Sequence, residues 1–291
     1  MTFRDYYSLT KGGLVMGNAI PVAAGFLLGA QGGISYAPFA GVVIGMILVM
    51  GSGCVFNNYI DRDIDGRMAR TRDRALVAGR VSGRNALIFG ATLGVAGLLT
   101  IAFLANSLAL GAAAFGFFFY VVVYSLWAKR RTAESTIVGS LAGAVPPVAG
   151  YVAAAGRLDA VAAILFGLMV LWQIPHFYAI AIRRADDYAA AGVPVLPNAA
   201  GVPATKRRML FFIVAFTCAA PLLSVYGDIG YTYFFAALIL GLFWLMNGTL
   251  GLAIRDRDAD ILWARKMFLA SLIVMTLLFV VMGAAAVAKT H

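Results

Sequence analysis

Nine apolar runs, each close to the length that crosses a bilayer, alternate with polar breaks along the 291-residue chain. They lie near 13–33, 37–58, 85–105, 108–127, 136–155, 160–182, 209–227, 229–253 and 267–288. The period-2 alternation of a barrel strand is absent, as the stretch from Phe211 to Ala220 illustrates. Inside lipid no water pairs the backbone, so each run is expected to be a helix. The expected fold class is an all-α, polytopic membrane protein: a nine-transmembrane-helix bundle forming one integral-membrane domain over residues 1–291. The pairs Gly25/Gly29, Gly41/Gly45, Gly90/Gly94 and Gly139/Gly143 have the GxxxG spacing and read as close helix packing.

Composition agrees. The chain is 62% hydrophobic and 12% charged, about half the charge of a soluble domain. A net charge of +10 raises nucleic-acid binding, but the positions of the charges exclude it. Of 23 Lys and Arg, 21 fall at the N-terminus or in even-numbered breaks, leaving only Arg157 and Lys289 on the other side. By the positive-inside rule the N-terminus and even-numbered loops are cytoplasmic and the C-terminus is outside. The first run is too long for a signal-peptide core. Cys54 and Cys218 lie in different runs without CxxC spacing, so neither a disulfide nor a metal knuckle is expected.

Two loops stand out. The second and sixth breaks are each about 26 residues, and long loops usually carry function. The second opens with Asn57, Asp61 and Asp65 at i, i+4 and i+8, one face of a helix continued past the membrane boundary. Three such oxygens suit Mg²⁺, which takes one or two carboxylates and completes its shell with water and phosphate. The alternative is a frayed, charged helix end, disfavoured because helix C-termini prefer cations. Asp63 points away and is expected to be solvated or salt-bridged. Arg62, Arg67, Arg70, Arg72, Arg74 and Arg80 follow. With Asn57 and with Lys129 and Arg130 of the fourth break, Arg67, Arg70 and Arg74 are candidate diphosphate ligands, since guanidinium grips such oxygens bidentately.

The approach to the sixth break is unusually polar for a membrane helix, with Gln173, His176 and Tyr178. His176, Arg183 and Asp187 share one stripe, followed by a rigid turn from Ala191 to Pro197 that could cap a pocket. Intramembrane ionisable groups usually mark a site. His176 equally suits satisfying a carbonyl freed by Pro175. In the eighth break Asp256, Asp258 and Asp260 read as a solvated face, whereas Arg265 and Lys266 are candidate anion ligands. A transporter would place its polar groups at discontinuous helices near the midplane; here the acidic residues cluster at one boundary.

The Asn57-x3-Asp61-x3-Asp65 motif after the second of nine runs resembles the first aspartate-rich motif of the UbiA-type intramembrane prenyltransferases. Cys54 to Arg70, Trp172 to Ile182 and Val193 to Pro197 are similar to the branch of that family that farnesylates haem. Lys11 with Asn18, Pro146-Pro147 and Trp263 to Phe268 extend the likeness over nearly the whole chain. Gly12 departs from a common Pro and Asp186 from a common Lys or Glu. Ile182 stands where quinone-making relatives begin a second aspartate motif, so that motif is incomplete.

The resemblance implies transfer of farnesyl from farnesyl diphosphate to the C2 vinyl group of haem B, with water addition, giving haem O and diphosphate. It implies Mg²⁺ as cofactor on Asn57, Asp61 and Asp65, and Asp61, Asp65, Arg62 and His176 as catalytic groups. Gln173, His176, Tyr178, Arg183, Asp186, Asp187, Arg265 and Lys266 would face the haem. It further implies a bacterial inner-membrane setting and a downstream haem A synthase or oxidase assembly as consumer of the product. The alternative within the family is an aromatic or quinone precursor as acceptor.

Overall fold

Because lipid offers no hydrogen bonds, the apolar runs close their backbone bonds internally and become helices. The computed structural model describes residues 2–31 and 33–288; Lys289, one of the two charges the sequence assigns to the outer side, lies outside them. Among the described residues there is no strand, and nine helices are long and apolar enough to span a membrane. They are α1 (Gly12–Ala30), α2 (Tyr36–Ile60), α3 (Gly83–Leu104), α4 (Ser107–Arg131), α5 (Ser135–Ala155), α6 (Ala160–Arg183), α7 (Val202–Tyr226), α8 (Gly230–Ala253) and α9 (Arg257–Ala288). The starts of α7 and α9 precede their apolar runs, because hydropathy marks the lipid-embedded part and not where helical bonding stops.

α1 crosses α5 so closely that only glycine fits. A Cβ on Gly150 would stand 2.0 Å from the Val22 carbonyl oxygen, and one on Gly25 would stand 2.1 Å from that of Pro147. α5 itself is interrupted at Ala144, and Pro146-Pro147 opens its second half, Val145–Ala155. α2 packs on α3, α1 and α5; α6 packs on α9, α7 and α5; α1 also meets α9. α2 and α6 share no extensive contact with each other.

The two long loops meet over this gap. The α2–α3 loop holds the short helix Arg62–Asp65, and the α6–α7 loop holds Ala185–Ala190 and Leu196–Ala200. Ile64 and Met68 from the first bury against Ala181, Ala191, Val193 and Val195 around the second, with Tyr188 beside them. The Ala191–Pro197 turn thus lies against the loop that carries the aspartates.

Gly150→Ala should force α1 from α5 and lower stability by about 1–3 kcal/mol, the usual cost of overpacking. A thermal melt in detergent checks this. Gly111→Ala, whose Cβ meets nothing within 4 Å, should melt no lower than the unaltered protein.

Candidate functional site

α2 ends at Ile60, yet the Asp61 amide still donates to the Asn57 carbonyl (2.9 Å) and the Asp65 amide to that of Asp61 (2.8 Å). The helical stagger therefore survives the end of the helix. Asp61 is fully buried and Asp65 is 1% exposed. Asn57 is their hub: its Nδ2 donates to Asp61 Oδ2 (2.8 Å) and to Ser125 Oγ (3.1 Å), and its Oδ1 accepts from Lys11 Nζ (2.7 Å). The Lys129 ammonium pairs with Asp61 Oδ2. Asp61 Oδ1 is buried without a hydrogen-bond partner among the described residues. Asp65 pairs with Arg74 Nη1 at 2.5 Å, and Thr71 Oγ1 donates to the Asp65 carbonyl (2.9 Å).

Three local devices bring the cations in. From Phe119 to Ala128, α4 is a π-helix, whose wider turn appears often at functional sites. Ser125 Oγ donates to the Tyr120 carbonyl five residues back (2.8 Å), and this register places both Ser125 and Lys129 on the α2 side. Lys11 sits between the helix Phe3–Leu9 and α1 in the left-handed region, φ +52°, a cost for a side chain with a Cβ. That turn delivers its ammonium to Asn57. Burial lowers the Lys11 pKa to about 8. Finally, a Cβ on Gly139 would meet the Tyr124 ring at 2.9 Å and one on Gly143 the Gln173 Oε1 at 1.9 Å. This glycine pair makes room for side chains, whereas Gly25 and Gly29 approach the α5 backbone, as the GxxxG reading expected.

The remaining basic candidates divide. Asp63 is exposed and held by Arg130 through two bonds of 2.6 and 2.8 Å. The Arg130 guanidinium keeps its carboxyl down at about 2. Arg62 stacks on the Tyr59 ring, 4.1 Å from its centroid, and donates to the Tyr59 carbonyl (2.6 Å). It therefore stays outside the Asp61–Asp65 group. Arg67 and Arg70 are exposed on the loop. Among the described residues no three His, Cys, Asp or Glu side chains group as a metal cluster; two carboxylates and an amide are what this site assembles.

A second polar group forms where α6 meets α9. The His176 ring is stacked between Trp172 (4.7 Å) and Phe268 (4.9 Å), with Phe177 edge-on. Its Nδ1 lies 2.7 Å from Ser271 Oγ, so this nitrogen does not serve a carbonyl freed by Pro175. Arg183 lies over the Phe268 ring, 5.4 Å from its centroid, and Arg265 is exposed. Gln173 turns to α5, donating to the Met169 (3.1 Å) and Ser140 (3.4 Å) carbonyls. Tyr178 is buried toward Arg208 and Glu134. Asp186 is exposed and pairs with Arg257, Asp187 lies 3.7 Å from Arg184, and Lys266 is exposed. The eighth break is not all solvated: Asp260 is 8% exposed and pairs with buried Lys206, which also holds the Gly251 and Ile254 carbonyls. An ammonium from α7 needed a counter-ion there.

Lys11, Thr71, Ser125 and Ser271 escape a reading by motif. Lys11 counts in the sequence as a topology charge and as part of the family likeness, with no site role attached, and the two serines sit inside apolar runs where nothing distinguishes them.

Comparison with known proteins agrees with this architecture. The model of the UbiA prenyltransferase family matches residues 18–272. A protein of Chromobacterium violaceum named protoheme IX farnesyltransferase 2 is 48% identical over 97% of this chain and 93% of its own. Protoheme IX farnesyltransferase of Escherichia coli K12 is 46% identical over 97% and 95%. Among solved structures, a digeranylgeranylglyceryl phosphate synthase superposes with a TM-score of 0.80 at 20% identity, covering 98% of each chain. A UbiA homologue from Archaeoglobus fulgidus, bound to GPP and Mg²⁺, gives 0.69 at 16% identity, covering 96% of this chain and 99% of its own.

The Lys11 environment makes a pH prediction. The ammonium is charged below about pH 8 and neutral above it, so pyrophosphate affinity should fall as pH rises through 8. Lys11→Arg, whose guanidinium stays charged, should remove that step from a calorimetric titration. Stability runs the other way. Because the folded pKa lies below the free value of 10.5, the folded state binds fewer protons between 8 and 10.5, and this group's contribution rises with pH across that window.

Proposed function

The chain belongs to the UbiA prenyltransferase family, and on that footing we propose that it transfers farnesyl from farnesyl diphosphate to the C2 vinyl group of haem B. Water then adds, and haem O and diphosphate are released. The observation that carries this reading is the likeness to the two protoheme IX farnesyltransferases, which runs at 46–48% identity over 97% of the chain. The acceptor is thereby haem, in preference to an aromatic or quinone precursor.

The polar cluster at the α2 end suits the donor. Lys11, Lys129 and Arg74 bring three cations to buried Asn57, Asp61 and Asp65, and a diphosphate entering among them exchanges those pairings for its own oxygens. Asp61 Oδ1, buried and unpartnered, fits a hard cation that uses few protein carboxylates. Asn57, Asp61 and Asp65 would therefore hold Mg²⁺, which, when bound, neutralises the charge that grows on the leaving diphosphate. The ammonium groups add to the same stabilisation from fixed positions.

Departure of diphosphate breaks the C1–O bond and leaves an allylic cation. The apolar lining of the bundle shields that cation from water until the vinyl carbon attacks it. The new C–C bond moves the positive charge to the carbon beside the porphyrin, where water adds and loses a proton. The attacking carbon belongs to the acceptor, so no Ser or Cys nucleophile is required. On the α6–α9 side His176 would face the haem iron, with Arg183 and Arg265 available to its carboxylates. Arg62, Arg67, Arg70 and Arg130 at the loop surface would attract the anionic donor before it enters. The charge asymmetry of the loops supports a site open to the cytoplasm of a bacterial inner membrane, with haem O passing to a haem A synthase or to oxidase assembly.

Cells that make this protein without a haem O-consuming enzyme should accumulate haem O on pigment analysis; labelled farnesyl found on an aromatic acid instead would overturn the reading. Asp61→Asn and Asp65→Asn should each abolish transfer in membranes while the protein still inserts, because an amide oxygen cannot replace the hard anion. Normal turnover by either variant at ordinary Mg²⁺ would remove the metal assignment. Cysteine placed at position 70 should react only with reagent offered from the cytoplasmic side.

A further inference from the structure

Ser271, near the middle of α9, is fully buried and receives two side chains from α6. Trp172 Nε1 donates to its carbonyl (2.8 Å), and His176 Nδ1 lies 2.7 Å from its hydroxyl. The hydroxyl proton is already committed, because Ser271 Oγ donates to the Phe268 carbonyl at 2.6 Å. A hydroxyl has one proton to give. With that proton on the Phe268 carbonyl, we assign the contact with His176 as running from imidazole to serine: Nδ1 carries the hydrogen and Oγ accepts it. That leaves Nε2 as the basic nitrogen, and it makes no hydrogen bond among the described residues. Stacking between Trp172 and Phe268 blocks rotation of the ring.

We propose that Ser271 is a positioning residue that locks His176 in the Nδ1–H form and so keeps Nε2 available to the iron of haem B. The inference rests on the reading of haem as acceptor. Metal-binding histidines nearly always donate their other N–H to an oxygen, which sets the tautomer and raises the basicity of the ligating nitrogen. The Ser271 hydroxyl supplies that oxygen, and the Phe268 carbonyl in turn orients the hydroxyl. Arg183 is two helical turns (about 10 Å) beyond His176 on the same stripe and lies over the Phe268 ring at 5.4 Å, so it would serve a haem carboxylate while the iron lies at Nε2. One shared phenyl ring thus sets the spacing of both contacts.

The test is a ferric haem titration of the purified full-length protein, followed by its Soret band, with pyrophosphate affinity as a check on the donor side. The unaltered protein should shift the band, and His176→Ala should lose the shift. Ser271→Ala should weaken haem binding about tenfold, the lower end for loss of a partner behind a ligating histidine, with KM for haem rising and pyrophosphate affinity unchanged. Ser271→Cys, similar in size but a weak acceptor, must show the same loss; Ser271→Thr, which keeps the hydroxyl, should restore the band and the affinity. The Trp172 bond to the Ser271 carbonyl survives all three, so α6 stays docked. If Ser271→Ala and Ser271→Cys keep the original Soret position and affinity, the proposal is wrong. If the unaltered protein makes haem O without any histidine-type Soret shift, the proposal also fails while the farnesyl-transfer reading stands. If it neither binds haem nor makes haem O, the reading itself falls.

Discussion

A carboxylate buried at the edge of a membrane has to be compensated on the spot, and the site is arranged around that demand at Asp61. Removing one partner from a buried charge costs about 3–5 kcal/mol, so Lys129 and Asn57 on its Oδ2 are conditions of folding. Those two partners need partners in turn. Asn57 is satisfied by Lys11 and Ser125. Ser125 and Lys129 reach α2 because α4 widens into a π-helix, and Tyr124 fits because position 139 is glycine. The left-handed backbone at Lys11 belongs to the same chain of dependence. Strain and irregular helix collect where one charge must be held.

The two ends of the site differ in kind. Around Asp61 and Asp65 the surroundings are ionic, suited to an anionic leaving group bound through a cation. Between α6 and α9 they are aromatic, with a single imidazole stacked between two rings and an arginine at the margin. A flat, apolar acceptor with an electrophilic centre and peripheral carboxylates matches the second end. The loops that follow α2 and α6 pack on each other through Ile64, Met68, Val193 and Val195. That apolar contact ties the two loops together by one seam, away from the charges themselves.

The nine spans, their approximate limits and the choice of the Asn57–Asp61–Asp65 face were legible in the sequence, because each depends on local spacing: lipid thickness fixes run length, and 3.6 residues per turn fix which side chains share a face. Asp63 could be set aside on the same ground, and it does pair outward with Arg130. The basic residues were not separable that way. Arg62 and Lys129 look alike in a list of loop cations, yet one leans on Tyr59 while the other crosses to Asp61, 68 residues away in sequence. Asp260 looked solvated until α7 brought Lys206 beside it. Ser271 and the π-turn of α4 carry no sequence signal, since their roles arise from which helix lies opposite. Sequence determined which groups stand at the membrane boundary. Which of them meet was decided only by tertiary packing, because a buried charge is paired by whatever the neighbouring helix presents, and a neighbour distant in sequence leaves no mark on local spacing.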